Sequence, residues 1–141
     1  MEPEPEAAVR RAVEAINDRT FPARAAELLD PSFVRHDLAR VFADSHGPGG
    51  ASDFVGTIVA AMPDFRLDIE DMFTAGDRVT VLLRMSGTHT SAPLLGRAAT
   101  GAFLRAPAVF VYRVTQGRLA EAWQMVDGLA FYRLAGLVGE P

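Results

Sequence analysis

The chain changes its apolar period once, at Met62-Pro63, and that change admits few folds. Before it, apolar residues recur at helical spacing: Val9, Val13 and Ile16; then Ala25, Ala26, Leu28 and Leu29; then Phe54, Val55, Ile58, Val59 and Met62. After it, short runs alternate apolar and polar residues between tight turns at Ala75-Gly76-Asp77 and Thr115-Gln116-Gly117. Strands joined by such turns pair as antiparallel hairpins, and the helical half must cover their apolar face. The class is therefore α+β. The reading predicts N-terminal helices on a curved, mixed or antiparallel sheet and a short closing helix. Together they make a cone-shaped α+β barrel around an apolar pocket.

The boundaries follow from local chemistry. Residues 1–6 alternate Glu and Pro and are predicted to be a flexible tail, with 7–141 forming a single domain. The first helix ends at Asn17-Asp18, and the second runs from Pro22 to Asp30-Pro31, where the residue before proline leaves the helical region. Phe33–Leu38 is short and extended, and His46–Gly50 is a loop feeding the third helix. Strands are predicted at 66–74, 78–90, 103–114 and 118–126. Pro107 is confined to a strand start, an edge or a bulge. A last helix covers Gly128–Leu134, with Gly136 at its C′ position.

Composition removes several functions. The 14 basic residues are all arginine, spread along a chain of net charge -4, so no basic stripe for nucleic acid forms. Cysteine is absent, which excludes disulfides, thiolate nucleophiles and cysteine zinc sites. No apolar run nears the ~20 residues of a membrane helix, and the acidic start lacks an apolar signal core, so the cytoplasm is the expected location. The Gly47-Pro-Gly-Gly50 run lacks the Lys-Ser/Thr and leading strand of a phosphate loop. Neither GxSxG nor GxGxxG occurs.

Asp127 stands out among the remaining polar residues. Regular alternation would put Leu119, Glu121, Trp123, Met125 and Asp127 on one face. A carboxylate behind Trp123 and Met125 would be desolvated and its pKa raised, which suits a general acid or base. The same residue is also placed to cap the last helix. His89 extends the apolar face of Val79, Val81, Leu83 and Met85, where it either fills the core or polarises a carbonyl. His36 and Asp37 point oppositely on a strand, so only one faces the pocket. His46 sits among glycines and is expected to be solvated. No histidine has a second ligand at i+3 or i+4, so no metal is expected. Arg84 and Arg113 are expected to pair with Asp68, Glu70 or Glu121 across the sheet. Trp123, Met125, Phe54, Ile58, Phe110 and Tyr112 are the expected pocket walls.

Three groups of residues carry a resemblance. The first is Phe33-Val-Arg-His-Asp37. The second is Met62-Pro-Asp-Phe65, Ile69-Glu-Asp71, Ala75-Gly-Asp-Arg-Val79 and Gly87-Thr-His89. The third is Tyr112-Arg113, Gly117-Arg118, Glu121-Ala-Trp123, Asp127 and Leu134-Ala-Gly136. In this order they resemble the SnoaL-like polyketide cyclase family of the nuclear-transport-factor-2-like, or ketosteroid-isomerase-like, superfamily. The resemblance implies an often dimeric cone that works without metal or organic cofactor on a small polyketide-like carbonyl compound in antibiotic biosynthesis. It implies that Asp127 is the acid/base for ring closure by intramolecular aldol condensation, with pocket histidines, here His89 and His36, beside it. The strand Val109–Arg113 departs from the family's cyclases in carrying no histidine. Hydroxylation, epoxide opening and a binding module without chemistry stay open as alternatives.

Overall fold

The computed structural model describes residues 3–139. In chain order these form α1 (Glu4–Asn17), α2 (Phe21–Leu28), β1 (Leu29–Asp37), β2 (Ser45–His46) and α3 (Gly47–Ala61), followed by β3 (Arg66–Ala75), β4 (Arg78–Thr88), β5 (Phe103–Thr115), β6 (Arg118–Val126) and α4 (Gly128–Leu134). The strands make one open sheet in the order β2-β1-β6-β5-β4-β3. Neighbours are antiparallel except β1 and β6, which run parallel and join the helical half to the end of the chain. The helices lie on one face: α1 against β3, β4 and β5, α3 against β1, and α4 against β5. The expected cone of helices on a curved sheet is what the chain forms.

Several local features explain how the helical half is seated. Asn17 ends α1 by pairing its side-chain amide with the Leu67 backbone, through Nδ2 to the carbonyl (2.8 Å) and N–H to Oδ1 (2.9 Å). This staples α1 to β3. Glu4–Glu6, expected in the tail, are instead the first turn of α1, where proline is tolerated and acidic side chains face the helix N-terminus favourably. Glu6 also accepts a bond from the Thr74 hydroxyl at 2.6 Å. Residues 1–2 of the predicted tail and the domain end, 140–141, lie outside the described residues. Gly47–Gly50, expected as a loop, is the first turn of α3, with proline in the position that its fixed φ suits.

The sheet holds one departure that decides the site. Between β5 and β6 the partners step from Val114↔Leu119 to Arg113↔Glu121, so Ala120 is the extra residue of a β-bulge. Leu119 and Ala120 are both buried, and the alternation then resumes with opposite parity. Ala122, Gln124 and Val126 face inward, while Glu121, Trp123 and Met125 face out. Pro107 pairs with Arg84 of β4, and β6 pairing starts only at Ala108↔Val126. The proline thus sits where β5 is locally an edge. Gly136 (φ 74°) closes α4 as expected: Leu137 N–H reaches the Tyr132 carbonyl at 2.8 Å and Gly136 N–H that of Arg133 at 3.0 Å.

Candidate active site

The inner face of the sheet and the helices surround a cavity. Its walls are mostly apolar and include Phe33, Phe54, Ile58, Phe65, Phe110 and Phe131. Four polar side chains interrupt them: Arg35 and Asp37 from β1, Tyr112 from β5 and Gln124 from β6. Strand parity puts them there. Phe33, Arg35 and Asp37 alternate inward on β1, and the register sets Asp37 beside Gln124 and Gln124 beside Phe110. The polar wall therefore crosses the β1–β6–β5 seam.

Arg35 is 4 % exposed. Its Nε donates to Ser45 Oγ (3.1 Å), Nη2 to the Ala43 carbonyl (2.6 Å) and Nη1 to Gln124 Oε1 (3.4 Å). The guanidinium carbon lies 3.7 Å from the centre of the Phe54 ring. Burial pulls its pKa below the ordinary arginine value, against the opposing fields of Asp37 and Asp44. Asp37 is equally buried, but its carboxylate accepts the backbone N–H groups of Ala39 (3.1 Å), Arg40 (3.1 Å) and Phe42 (2.6 Å). It folds the turn after β1, as aspartate does wherever backbone donors converge. Burial pushes the Tyr112 phenol up to about 12, with its Gln124 hydrogen bond and Arg35 pulling the other way. Tyr112 therefore stays neutral, with an O–H to donate. Gln124 accepts from the arginine and lies near the tyrosine.

The expected residues are dispersed around this wall. Phe54, Ile58, Phe110 and Tyr112 line the cavity. Trp123 and Met125 do not, because the bulge at Ala120 turns them to the outer face. Asp127 is exposed rather than desolvated and caps α4, Oδ1 accepting the Ala130 N–H at 3.1 Å. It directly follows Val126, which lines the cavity, but is not itself in the lining. His89 is fully buried past the end of β4, with Nε2 2.8 Å from the Ala92 carbonyl and Nδ1 without a partner. It too stands outside the lining.

His36 points away from the cavity. Its Nε2 is 2.6 Å from Glu121 Oε2, its Nδ1 is 3.7 Å from Asp44 Oδ2, and its ring stacks on Trp123 at 5.6 Å. This hydrogen bond, and secondarily that from Arg113, hold the Glu121 carboxyl below the ordinary glutamate range. Of the adjacent pair, then, Asp37 is inside and His36 outside. Arg84 pairs with Glu70 at 2.9 Å and Arg113 with Glu121 at 3.4 Å, as expected of outward arginines. His46 is exposed. Among the described residues no three His, Asp or Glu side chains converge to hold a metal, and no helix is long and apolar enough to cross a membrane.

Sequence reasoning missed Arg35 and Gln124, and left open whether Asp37 or His36 faces the pocket. Arg35 was marked by sharing strand parity with Phe33, an unusual place for a charge. Gln124 had no such signal without knowledge of the bulge.

The geometry can be set beside known proteins. The sequence pattern of the SnoaL-like polyketide cyclase family matches residues 6–133. The chain belongs to this family. No curated protein sequence matches it. Among solved structures, a proposed SnoaL-like polyketide cyclase from Jannaschia sp. CCS1 superposes with a TM-score of 0.83 at 20% identity, covering 96% of this chain and 94% of the other. IdmH of Streptomyces antibioticus, a proposed polyketide cyclase, gives 0.75 at 25% identity, covering 94% and 98%. AclR of Streptomyces galilaeus, a proposed hydroxylase, gives 0.80 at 18% identity, covering 96% and 98%. Members sharing this cone thus carry different proposed reactions, and the fold alone does not select among them.

Proposed function

We propose that this family member is an enzyme that admits a polyketide-like or polycyclic carbonyl compound to the cone and closes a ring by intramolecular aldol condensation. The observation that carries the reading is the apolar cavity with Arg35, Gln124 and Tyr112 on one wall. In the reaction a base removes a proton α to one carbonyl. The enolate carbon attacks a second carbonyl of the same molecule, and the resulting alkoxide is protonated. An oxygen turning negative beside the Tyr112 O–H meets a donor fixed before the reaction starts. Neither metal nor organic cofactor is needed.

Asp127 is the proposed acid/base. The resemblance supplies the role, and its place between the cavity-lining Val126 and Phe131 supports it. His89 and His36 are assigned no contact with the substrate. The test is turnover of an aromatic poly-β-carbonyl compound by Asp127→Asn, which can still accept the Ala130 N–H. The expected result is a loss of about 10²–10⁴-fold in rate with unchanged unfolding. Wild-type turnover in the variant overturns the mechanism. A product heavier by O or H₂O points to hydroxylation or epoxide opening, whereas ring closure gives an isomer or its dehydration product.

The exposed, helix-capping Asp127 favours a second reading, a binding module without chemistry. Ligand capture without turnover by the wild-type chain would establish it. We further propose a homodimer joined through the outer sheet face, where Phe73, Leu82, Phe103, Val109 and Met125 are exposed.

A further inference from the structure

We propose that the compound admitted to the cone bears a free carboxylate, and that Arg35 is the residue that selects it. The inference rests on the cavity being the ligand site.

A buried arginine is ordinarily matched with a carboxylate. Arg35 is buried, yet none of the ion pairs among the described residues includes it. Its three protein acceptors, Ser45 Oγ, the Ala43 carbonyl and Gln124 Oε1, are all neutral. Of the five N–H donors that a guanidinium carries, these take three. The carboxylates nearby are otherwise engaged: Asp37 with three backbone N–H groups, Asp44 with the Asp37 N–H and with His36. Both still act on the guanidinium through their fields, but neither makes an ion pair with it.

The one carboxylate in the cavity lining, Asp37 beside Gln124, is held by its three backbone donors and makes no ion pair with the guanidinium. At the polar wall Nη1 stands with Gln124 and the neutral Tyr112. An anion on this side gains the guanidinium charge and the N–H groups still free, which leaves the Tyr112 O–H to the reacting oxygen. The apolar rings of Phe54 and Phe110 receive the rest of the molecule. Desolvation makes the discrimination strong, since a neutral amide or ester of the same shape leaves the cation unmatched.

The test compares 2-naphthoic acid with 2-naphthamide, titrated into the wild-type protein and into Arg35→Gln and Arg35→Lys. The acid is expected to bind the wild type at least about tenfold more tightly. In Arg35→Gln the preference should fall to about twofold or less, while Arg35→Lys keeps a preference. A role for Arg35 limited to tethering Ala43 and Ser45 would not alter acid-to-amide selectivity. One reading needs no variant: the Gln124 side-chain amide resonance of the wild type should shift with the acid and not with the amide. Equal binding of both compounds overturns the carboxylate inference and leaves the cavity reading standing. Binding of neither overturns both. An acid preference that survives in Arg35→Gln places the acid elsewhere and overturns the inference.

Discussion

One oxygen of Asp127 accepts the Ala130 N–H, so the structural part of this residue can be measured apart from any chemistry. Asp127→Ala should lower the unfolding free energy by about 1 kcal/mol, and Asp127→Asn by no more than a few tenths. Urea denaturation of the two variants checks this. Glu121 gives a pH prediction. Its folded-state pKa lies below the free value of 4.5, first because of the His36 hydrogen bond and then because of Arg113. The native state therefore binds fewer protons than the unfolded chain. This stabilisation is complete above pH 4.5 and is lost as the pH falls through the depressed value. His36→Phe should flatten that acid limb by at most about 1 kcal/mol at low salt, given the partial exposure of the pair. Unfolding midpoints measured through the acid range test it. At this scale the sequence was half legible. It showed that His36 and Asp37 must face opposite ways, but residue type alone did not tell which faced in. The deciding fact is that Asp37 finds three backbone donors in the turn that follows.

Strand β4 ends at Thr88, two residues before its expected end, but its inner face was legible, because a regular ladder keeps Val79, Val81, Leu83 and Met85 on one buried face. Its Gly87 continues that face against α3. A Cβ built there would come 3.0 Å from Met62 Sδ and 3.4 Å from the Phe65 Cα. Gly87→Val should cost about 1–3 kcal/mol by overpacking, seen as a lower thermal midpoint with the fold retained. Strand β6 was misread for one physical reason. Two consecutive buried residues, Leu119 and Ala120, absorb a bulge, and every later side chain changes face. Consecutive apolar residues just after a tight turn were the available hint. The α3 start was misread differently, because glycine and proline signal a loop by composition yet fit a first helical turn.

For the whole molecule, the change of period at Met62-Pro63 was enough to anticipate helices on a curved sheet. The parallel β1–β6 contact was not legible, since no turn connects those strands and only the tertiary fold brings them together. The polar wall lies across that contact, so the site was hidden with it. The outer face gives an assembly prediction. Val109 and Met125 are paired neighbours there, 40% and 46% exposed. If that face joins two copies, Met125→Glu should shift sedimentation from dimer to monomer while leaving ligand capture in the cone intact. The strand that supplies Gln124 to the interior also sets the only tryptophan of the chain, Trp123, directly behind it. Its indole is sandwiched by the His36 ring at 5.6 Å and the Arg78 guanidinium at 4.8 Å. A guest that touches Gln124 sits one residue from the indole. The protein thus carries its own fluorophore one residue from the chamber, and its emission can follow filling and emptying without a label.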